Sequence, residues 1–480
     1  MNHSKQTAVS AVGTKKELIC AAAEQIWNYA ELSLQEEKSA SYYCSVLEKE
    51  GFRVEKGICG IETAFSASYG SGSPRIGILA EYDALSGLSQ EAGSLERREL
   101  TPGGCGHGCG HNLLGAGALG AVLGVKAYLE ESGHEGTVIL YGCPGEEGGA
   151  SKAFMARDGL WKTLDAALTW HPEDVNDVWT GSTNSCIQTQ YKFTGIASHA
   201  SGAPEKGRSA LDAVELMNIG VQFLREHMGD RARIHYAITD AGGISPNVVQ
   251  PRASVLYMVR SNHVAEAVEL QARVDRIADG AALMTDTVLE RKFIDGMADL
   301  VSNSVLEKVL YENFRELGVP SHTPEELEFT DQLSRTYSGN DHVPGAGAEN
   351  DPLLREQVAQ MQKDFGHAMN DFLAPLYQGD AFEPGSTDVG DVSQLTPTAQ
   401  IHVAAWPNGC PGHSWQNVSC AGSSVGRKAA VHAAKVLAAA AVDLFEKPEL
   451  LNEARAEFEK RMAAGYVCPI PEDAVPAIPD

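Results

Sequence analysis

Between Thr63 and Trp170 short apolar runs alternate with helical ones, and no other feature of the sequence constrains the fold as tightly. Strand-like runs occupy Thr63–Tyr69, Arg75–Ala80, Thr137–Tyr141 and Ala166–Trp170. A Gly/Ala-rich helical stretch runs from about Leu113 to Glu131, and a shorter one covers Ser151–Arg157. Upstream, 14–30 and 37–50 carry apolar residues at helical spacing. Strands separated by helices predict an α/β fold with a mixed, largely parallel sheet flanked by helices.

Residues 186–294 follow another pattern. Ile187, Thr189, Tyr191 and Phe193 alternate with Gln188, Gln190 and Lys192, as in a strand with one wet face. A helix at 208–228, alternating runs at Ala232–Thr239 and Ala253–Arg260, a helix at 264–284 and a strand at 285–293 complete the set. The order β-α-β-β-α-β predicts an inserted ferredoxin-like α+β domain, suited to act as a lid and to dimerise. From 325 to 380 the chain is polar and aperiodic, and reads as a long excursion with room for one helix. A strand at Ala399–Ala404 and an Ala-rich helix from about Arg427 to Phe445 return to α/β character. At 480 residues the chain exceeds one ordinary core, so the expected division is 1–185 and 295–480 for a catalytic domain, with 186–294 inserted.

With 38 basic against 64 acidic residues, the formal net charge is −26. That argues against a nucleic-acid partner or an anionic membrane surface. No apolar run reaches the roughly 18 residues of a membrane span, and no apolar stretch follows the first lysines, so neither a membrane helix nor a signal peptide is expected. Ten scattered cysteines fit a reducing cytoplasm, where a special Cys is a ligand or nucleophile.

Chemistry-bearing residues gather in short clusters after strands or in Gly-rich loops: Ala80-Glu81-Tyr82-Asp83, Gly106–Asn112, Pro144–Gly149, Trp170-His171-Pro172 and Pro411–Trp415. In open α/β sheets ligands collect beyond the carboxyl ends of the strands. Each cluster is weak alone. A Cys-x-His pair is more often a buried thiol beside an ordinary histidine, and a Glu-Glu pair is usually solvated surface. Pro144-Gly145 and Gly148-Gly149 around Glu146 and Glu147 fix the backbone instead of merely exposing charge. The alternation Cys105, His107, Cys109, His111 has no second Cys pair at zinc-finger distance. A Cys109 nucleophile with His111 as base stays open, although it leaves Glu146 and Glu147 unexplained.

Taken in order, Gly108-Cys109-Gly110-His111, Pro144–Gly149, His171, Gly195–Ala200, Gly242–Val248 and Gly385–Asp388 resemble the amidohydrolase branch of the dinuclear-metal aminoacylase/carboxypeptidase family. The resemblance covers nearly the whole chain. It implies two divalent ions per chain, zinc or manganese, held by Cys109, His111, Glu147, His171 and His413, with Cys109 between them. It implies Glu146 as general base. It also implies that His199, Asn247, Arg260 and Ser386 meet the substrate, His199 reaching a neighbouring protomer's site in a homodimer, with a sister chain of a different kind as a further partner to test. Asn112 stands where relatives carry Asp, which removes one charge behind the ligands.

The expected activity is metal-dependent hydrolysis of a small N-acyl or N-aroyl amino acid, the amino acid bearing a free carboxylate, with glutamate or aspartate preferred. Competing expectations are a dipeptidase or deaminase on the same site, and a non-enzymatic partner chain of a larger hydrolase, the latter disfavoured by the intact ligand set.

Overall fold

The computed structural model describes residues 1–477. Packing divides the chain into two compact units. One comprises Met1–Ser182, Val301–Phe382 and Val392–Tyr466; the other comprises Thr183–Leu300, Glu383–Asp391 and the segment from Val467. The second unit thus takes in 183–185, which the sequence reading assigned to 1–185, and three short stretches that it assigned to 295–480: 295–300, Glu383–Asp391 and the segment from Val467.

The first unit is built on seven strands in the order Arg53–Lys56, Phe65–Ser71, Gly136–Gly142, Arg75–Ala80, Ala166–Glu173, Thr398–Ala404 and Asp177–Val178. The middle four run parallel, and the outer pairings are antiparallel. Gly136–Gly142 is buried along its whole length, as an apolar run covered on both faces must be.

Helix His111–Ser132 is long and apolar enough to cross a membrane by composition, yet most of it is buried within the protein. Its glycines explain that burial. A Cβ at Gly117 would meet the Trp170 indole, one at Gly120 would stand 2.6 Å from Ile19 Cδ1 and 2.8 Å from Ala434 Cβ, and one at Gly124 would meet Ala8 O at 2.9 Å. Helices His3–Thr14, Lys16–Tyr29 and Ser424–Glu446 can therefore pack closely around it.

Three differences from the sequence reading have physical causes. The helix expected at 14–30 is preceded by another, His3–Thr14, capped by the Asn2 side chain. Helices Ser304–Leu317 and Pro448–Arg461 also flank the core. The polar stretch 325–380 holds Pro324–Leu333, Ala346–Asn350 and Pro352–Phe365 instead of one helix. Their start signals were present: a Thr323/Glu326 capping box, and Asp351 capping a helix with Pro352 in its first turn. Leu354, Val358, Met361 and Phe365 also stand at helical spacing along Pro352–Phe365, a narrow stripe of which only Val358 is buried.

The second unit is a four-stranded antiparallel sheet in the order Arg233–Asp240, Arg252–Ser261, Ser185–Thr194, Val288–Met297. Helices Ala210–Leu224 and Val264–Thr285 pack against it, and Tyr191, Phe193, Val214, Met217, Tyr257 and Val274 lie in its core. The connection is β-α-β-β-α-β, as the ferredoxin-like reading expected. The inner strand is drier than its alternation suggested, because Gln190 is buried while Gln188 and Lys192 are half-buried.

Gly120 allows a direct check. Alanine is the better helix former by about 1 kcal/mol, but overpacking costs about 1–3 kcal/mol. Gly120→Ala is expected to lower the unfolding free energy by about 1 kcal/mol in denaturant titration, and Gly120→Val by more. A stabilised Gly120→Ala would contradict the packing account.

Candidate metal centre

Each cluster is aimed by the element it follows. Strand Arg75–Ala80 runs straight into Glu81 and Asp83, and His171 lies within strand Ala166–Glu173. His111 is the first residue of its helix, and the preceding Gly110 is left-handed with φ 76°. A Cβ there would come within 2.7 Å of Pro172 Cγ, so only glycine lets the His111 and His171 segments approach. The Glu146-Glu147 loop is fixed from behind, where the Gly145 amide donates to Glu36 Oε1 at 2.8 Å. His413 holds a left-handed backbone (φ 53°), a strained state for a non-glycine that tends to mark functional positions.

The side chains converge. Cys109 Sγ is 3.4 Å from His171 Nε2, and His413 Nε2 is 3.2 Å from Glu147 Oε1. Donor atoms of Cys109, His111 and His171 lie within 4.8 Å of one another, as do those of Cys109, Glu147 and His413, and those of His111, Glu146 and Glu147. Cys109 belongs to two of these triplets. Within the first unit the fold thus brings together all five expected ligands and the expected base. Thiolate, imidazole and carboxylate suit a divalent ion of borderline softness. The buried His111 Nε2 and Glu147 Oε1 make no hydrogen bond, although Glu81 and His413 stand beside them. Buried polar atoms are rarely left so, and a bound cation would satisfy both.

Carboxylates behind the cluster set the ring orientations. His111 Nδ1 donates to Asp83 Oδ1 at 2.8 Å, which turns Nε2 toward the other donors. His171 Nδ1 lies 3.4 Å from Glu173 Oε1. Asp83 also accepts from Ser33 Oγ at 2.8 Å and from the Glu147 amide at 2.9 Å. Burial opposes a charge on Asp83, but the facing imidazole and these donors outweigh it, holding the carboxyl well below its usual range. Burial pushes the Cys109 thiol up, with Glu147 adding to the effect. Asn112 donates to the backbone oxygens of Ala23 and Ala421 and braces two elements. The charge behind His111 is supplied by Asp83. Sequence reading placed Asp83 in a cluster but gave it no role, and it passed over Glu173. A lone acid after a strand looks like surface until its neighbours are known.

In the second unit the four expected substrate residues form two pairs. Strand Ser198–His199 pairs with Val248–Val249, and the Ala200 amide donates to Asn247 O, so His199 and Asn247 are adjacent and both exposed. His199 Nδ1 accepts the amides of Ser201 and Gly202 at 3.2 and 2.9 Å, which leaves the ring proton on Nε2. Arg260 Nη1 donates to Ser386 Oγ at 2.9 Å. Arg260 is paired with Cys186 at one end of strand Arg252–Ser261, whereas the His199 hairpin lies beyond Arg252 at the other. Eight residues of strand separate those ends by about 26 Å.

Residues 77–339 match the family model described as peptidase family M20/M25/M40. Over 464 residues, 95% of this chain and 95% of the relative, the chain is 43% identical to the B subunit of p-aminobenzoyl-glutamate hydrolase of Escherichia coli (strain K12). It is 26% identical over 474 residues to the Xaa-Arg dipeptidase of Mus musculus, covering 95% of this chain and 93% of the relative. Among solved structures, the YxeP protein of Bacillus subtilis, described as a dinuclear metal binding peptidase from the M20 family, superposes with a TM-score of 0.55 at 16% identity, covering 90% of this chain and 99% of that one. That likeness bears on the fold. With the fold, the donor cluster and near full-length similarity in agreement, the chain belongs to peptidase family M20/M25/M40 and is a metallo-amidohydrolase that uses divalent metal.

Proposed function

We propose that this enzyme hydrolyses the amide bond of N-aroyl and N-acyl amino acids such as p-aminobenzoyl-glutamate or indole-acetyl-aspartate, releasing the acid and the free amino acid. The observation that carries this reading is the convergence of Cys109, His111, Glu147, His171 and His413 around two buried, unbonded donor atoms. The 43% identity to a p-aminobenzoyl-glutamate hydrolase chain supports the substrate class. These five residues would hold two divalent ions, zinc or manganese, Cys109 being common to two of the donor triplets. When bound, such a pair acts as a Lewis acid on the scissile carbonyl and lowers the pKa of water.

The chain's own residues do the rest. Glu146, adjacent to a ligand and within the cluster, takes the proton of the attacking water and returns it to the leaving amine. His199 presents an Nε2 proton and serves as donor to the developing oxyanion. Arg260, braced by Ser386, offers a planar fork to the substrate carboxylate, and Asn247 adds a donor. The separation of about 26 Å between the His199–Asn247 pair and Arg260 favours a site completed by a second copy of the chain. A homodimer with His199 acting in trans meets that need. The Escherichia coli relative is named as one component of its hydrolase, which raises a sister chain as the alternative. A dipeptidase reading is the second choice, favoured by the near full-length match to the Xaa-Arg dipeptidase.

Glu146→Gln should keep its metal and its substrate affinity while kcat falls about 100-fold or more. Loss of metal from this variant would mean that Glu146 is a ligand and that its role and that of Glu147 are exchanged. Mixing inactive Glu146→Gln chains with inactive His199→Ala chains should restore part of the activity, since some hybrid sites hold both native residues. Absence of recovery in hybrids verified by mass would rule out action in trans. Turnover of p-aminobenzoyl-glutamate, hippurate, a dipeptide ending in arginine and the α-amide of the best of them tests recognition. The amide should be cleaved poorly; equal cleavage would remove the carboxylate role of Arg260, and a preference for the dipeptide would select the second reading.

A further inference from the structure

One ion pair in the cluster is used by none of these roles. Lys152, in helix Ser151–Arg157, is wholly buried, and its Nζ stands 2.7 Å from Glu81 Oε1. Glu81 is itself only 3% exposed. Its other oxygen, Oε2, lies 3.3 Å from His111 Nε2, the nitrogen left without a hydrogen bond once Asp83 has taken Nδ1.

Stability does not account for this arrangement. Burying an ammonium and a carboxylate costs several kcal/mol per ion, and a well-packed apolar pair of the same volume is often as stable or more so. Nor does His111 need a second carboxylate as a hydrogen-bond partner, because Asp83 already orients the ring. Glu81 is in none of the three donor triplets, but its distance to His111 fits a shared cation. Nitrogen and oxygen donors held at their usual distances on one tetrahedral ion stand about 3.3–3.5 Å apart, which is the separation found between His111 Nε2 and Glu81 Oε2. Lys152 engages the far oxygen and leaves the near one directed at that position.

We propose that Glu81 is a further ligand of the ion held by His111, and that Lys152 is its positioning residue, holding the carboxylate in register and offsetting its buried charge. The proposal rests on the reading of His111 as a ligand. It adds a sixth donor residue to the five assigned above, and it gives a purpose to a buried lysine that would otherwise burden the fold.

The test is metal binding by the purified full-length chain, measured by chelator competition with metal analysis and by the visible spectrum of the cobalt-loaded protein. Wild type should bind two ions. Glu81→Gln should weaken one of them at least 10-fold and change the cobalt spectrum, as should Glu81→Asp, which keeps the charge for Lys152 but withdraws the oxygen from His111. The doubly neutral Glu81→Gln/Lys152→Met variant separates ligation from mere structure. It removes the buried charges together and should keep the wild-type melting temperature within a few degrees, yet it should not regain the lost affinity. Wild-type affinity for both ions in the double variant, or in Glu81→Asp should the double variant fail to fold, would overturn the proposal and leave the five-residue centre standing. A wild-type chain that binds no divalent ion would overturn both.

Discussion

Asp83 is buried out of reach of water and accepts hydrogen bonds from three separate parts of the chain: His111 at the start of the central helix, Ser33 in the N-terminal region, and the amide of Glu147 in the glutamate loop. A carboxylate so placed fixes three segments relative to one strand end. It also decides which imidazole nitrogen of His111 faces the cluster. Remove it, and the ring can turn, the glutamate loop loses an anchor, and the donors no longer share a centre. The rest of the site is an elaboration of that constraint. Glu36 holds the loop from the other side through Gly145, and Glu173 does for His171 what Asp83 does for His111.

The scaffold is stiff enough to keep such a constraint. Three parallel strands deliver Glu81, Asp83, the Glu146-Glu147 loop and His171 to one edge, and the glycine-rich helix begins with His111 beside them. Close helix packing at Gly117, Gly120 and Gly124 leaves that helix little room to shift. Rigid elements suit a centre whose donors must stand within a few tenths of an ångström of their working positions. His199 and Asn247, by contrast, sit on an exposed hairpin.

Much of this was legible before the structure. The apolar runs Arg75–Ala80 and Ser151–Arg157 coincide with the observed strand and helix, and the β-α-β-β-α-β order of the second unit followed from alternation and helical spacing. The cluster residues were found because Gly and Pro flank them. What escaped notice escaped for physical reasons. Helix Pro352–Phe365 has only the narrow stripe Leu354, Val358, Met361 and Phe365, easily lost in a polar stretch, although its cap also marked it. Glu81 and Asp83 are acids that sequence alone assigns to the surface, and Lys152 still more so. Their burial is set by strands distant in sequence, and it appears only when those strands are side by side. Asn112 braces backbone rather than the ligands, and the charge behind His111 comes from Asp83.

The central claim is that Cys109, His111, Glu147, His171 and His413 hold a pair of divalent ions. Crystals of the zinc- or manganese-loaded enzyme, with anomalous scattering collected at that metal's absorption edge, address it most directly. The account predicts two anomalous peaks per chain about 3.5–4 Å apart, with Cys109 Sγ between them and His111 Nε2 and Glu147 among their ligands. A single peak, or peaks lying away from Cys109 and His111, would contradict it.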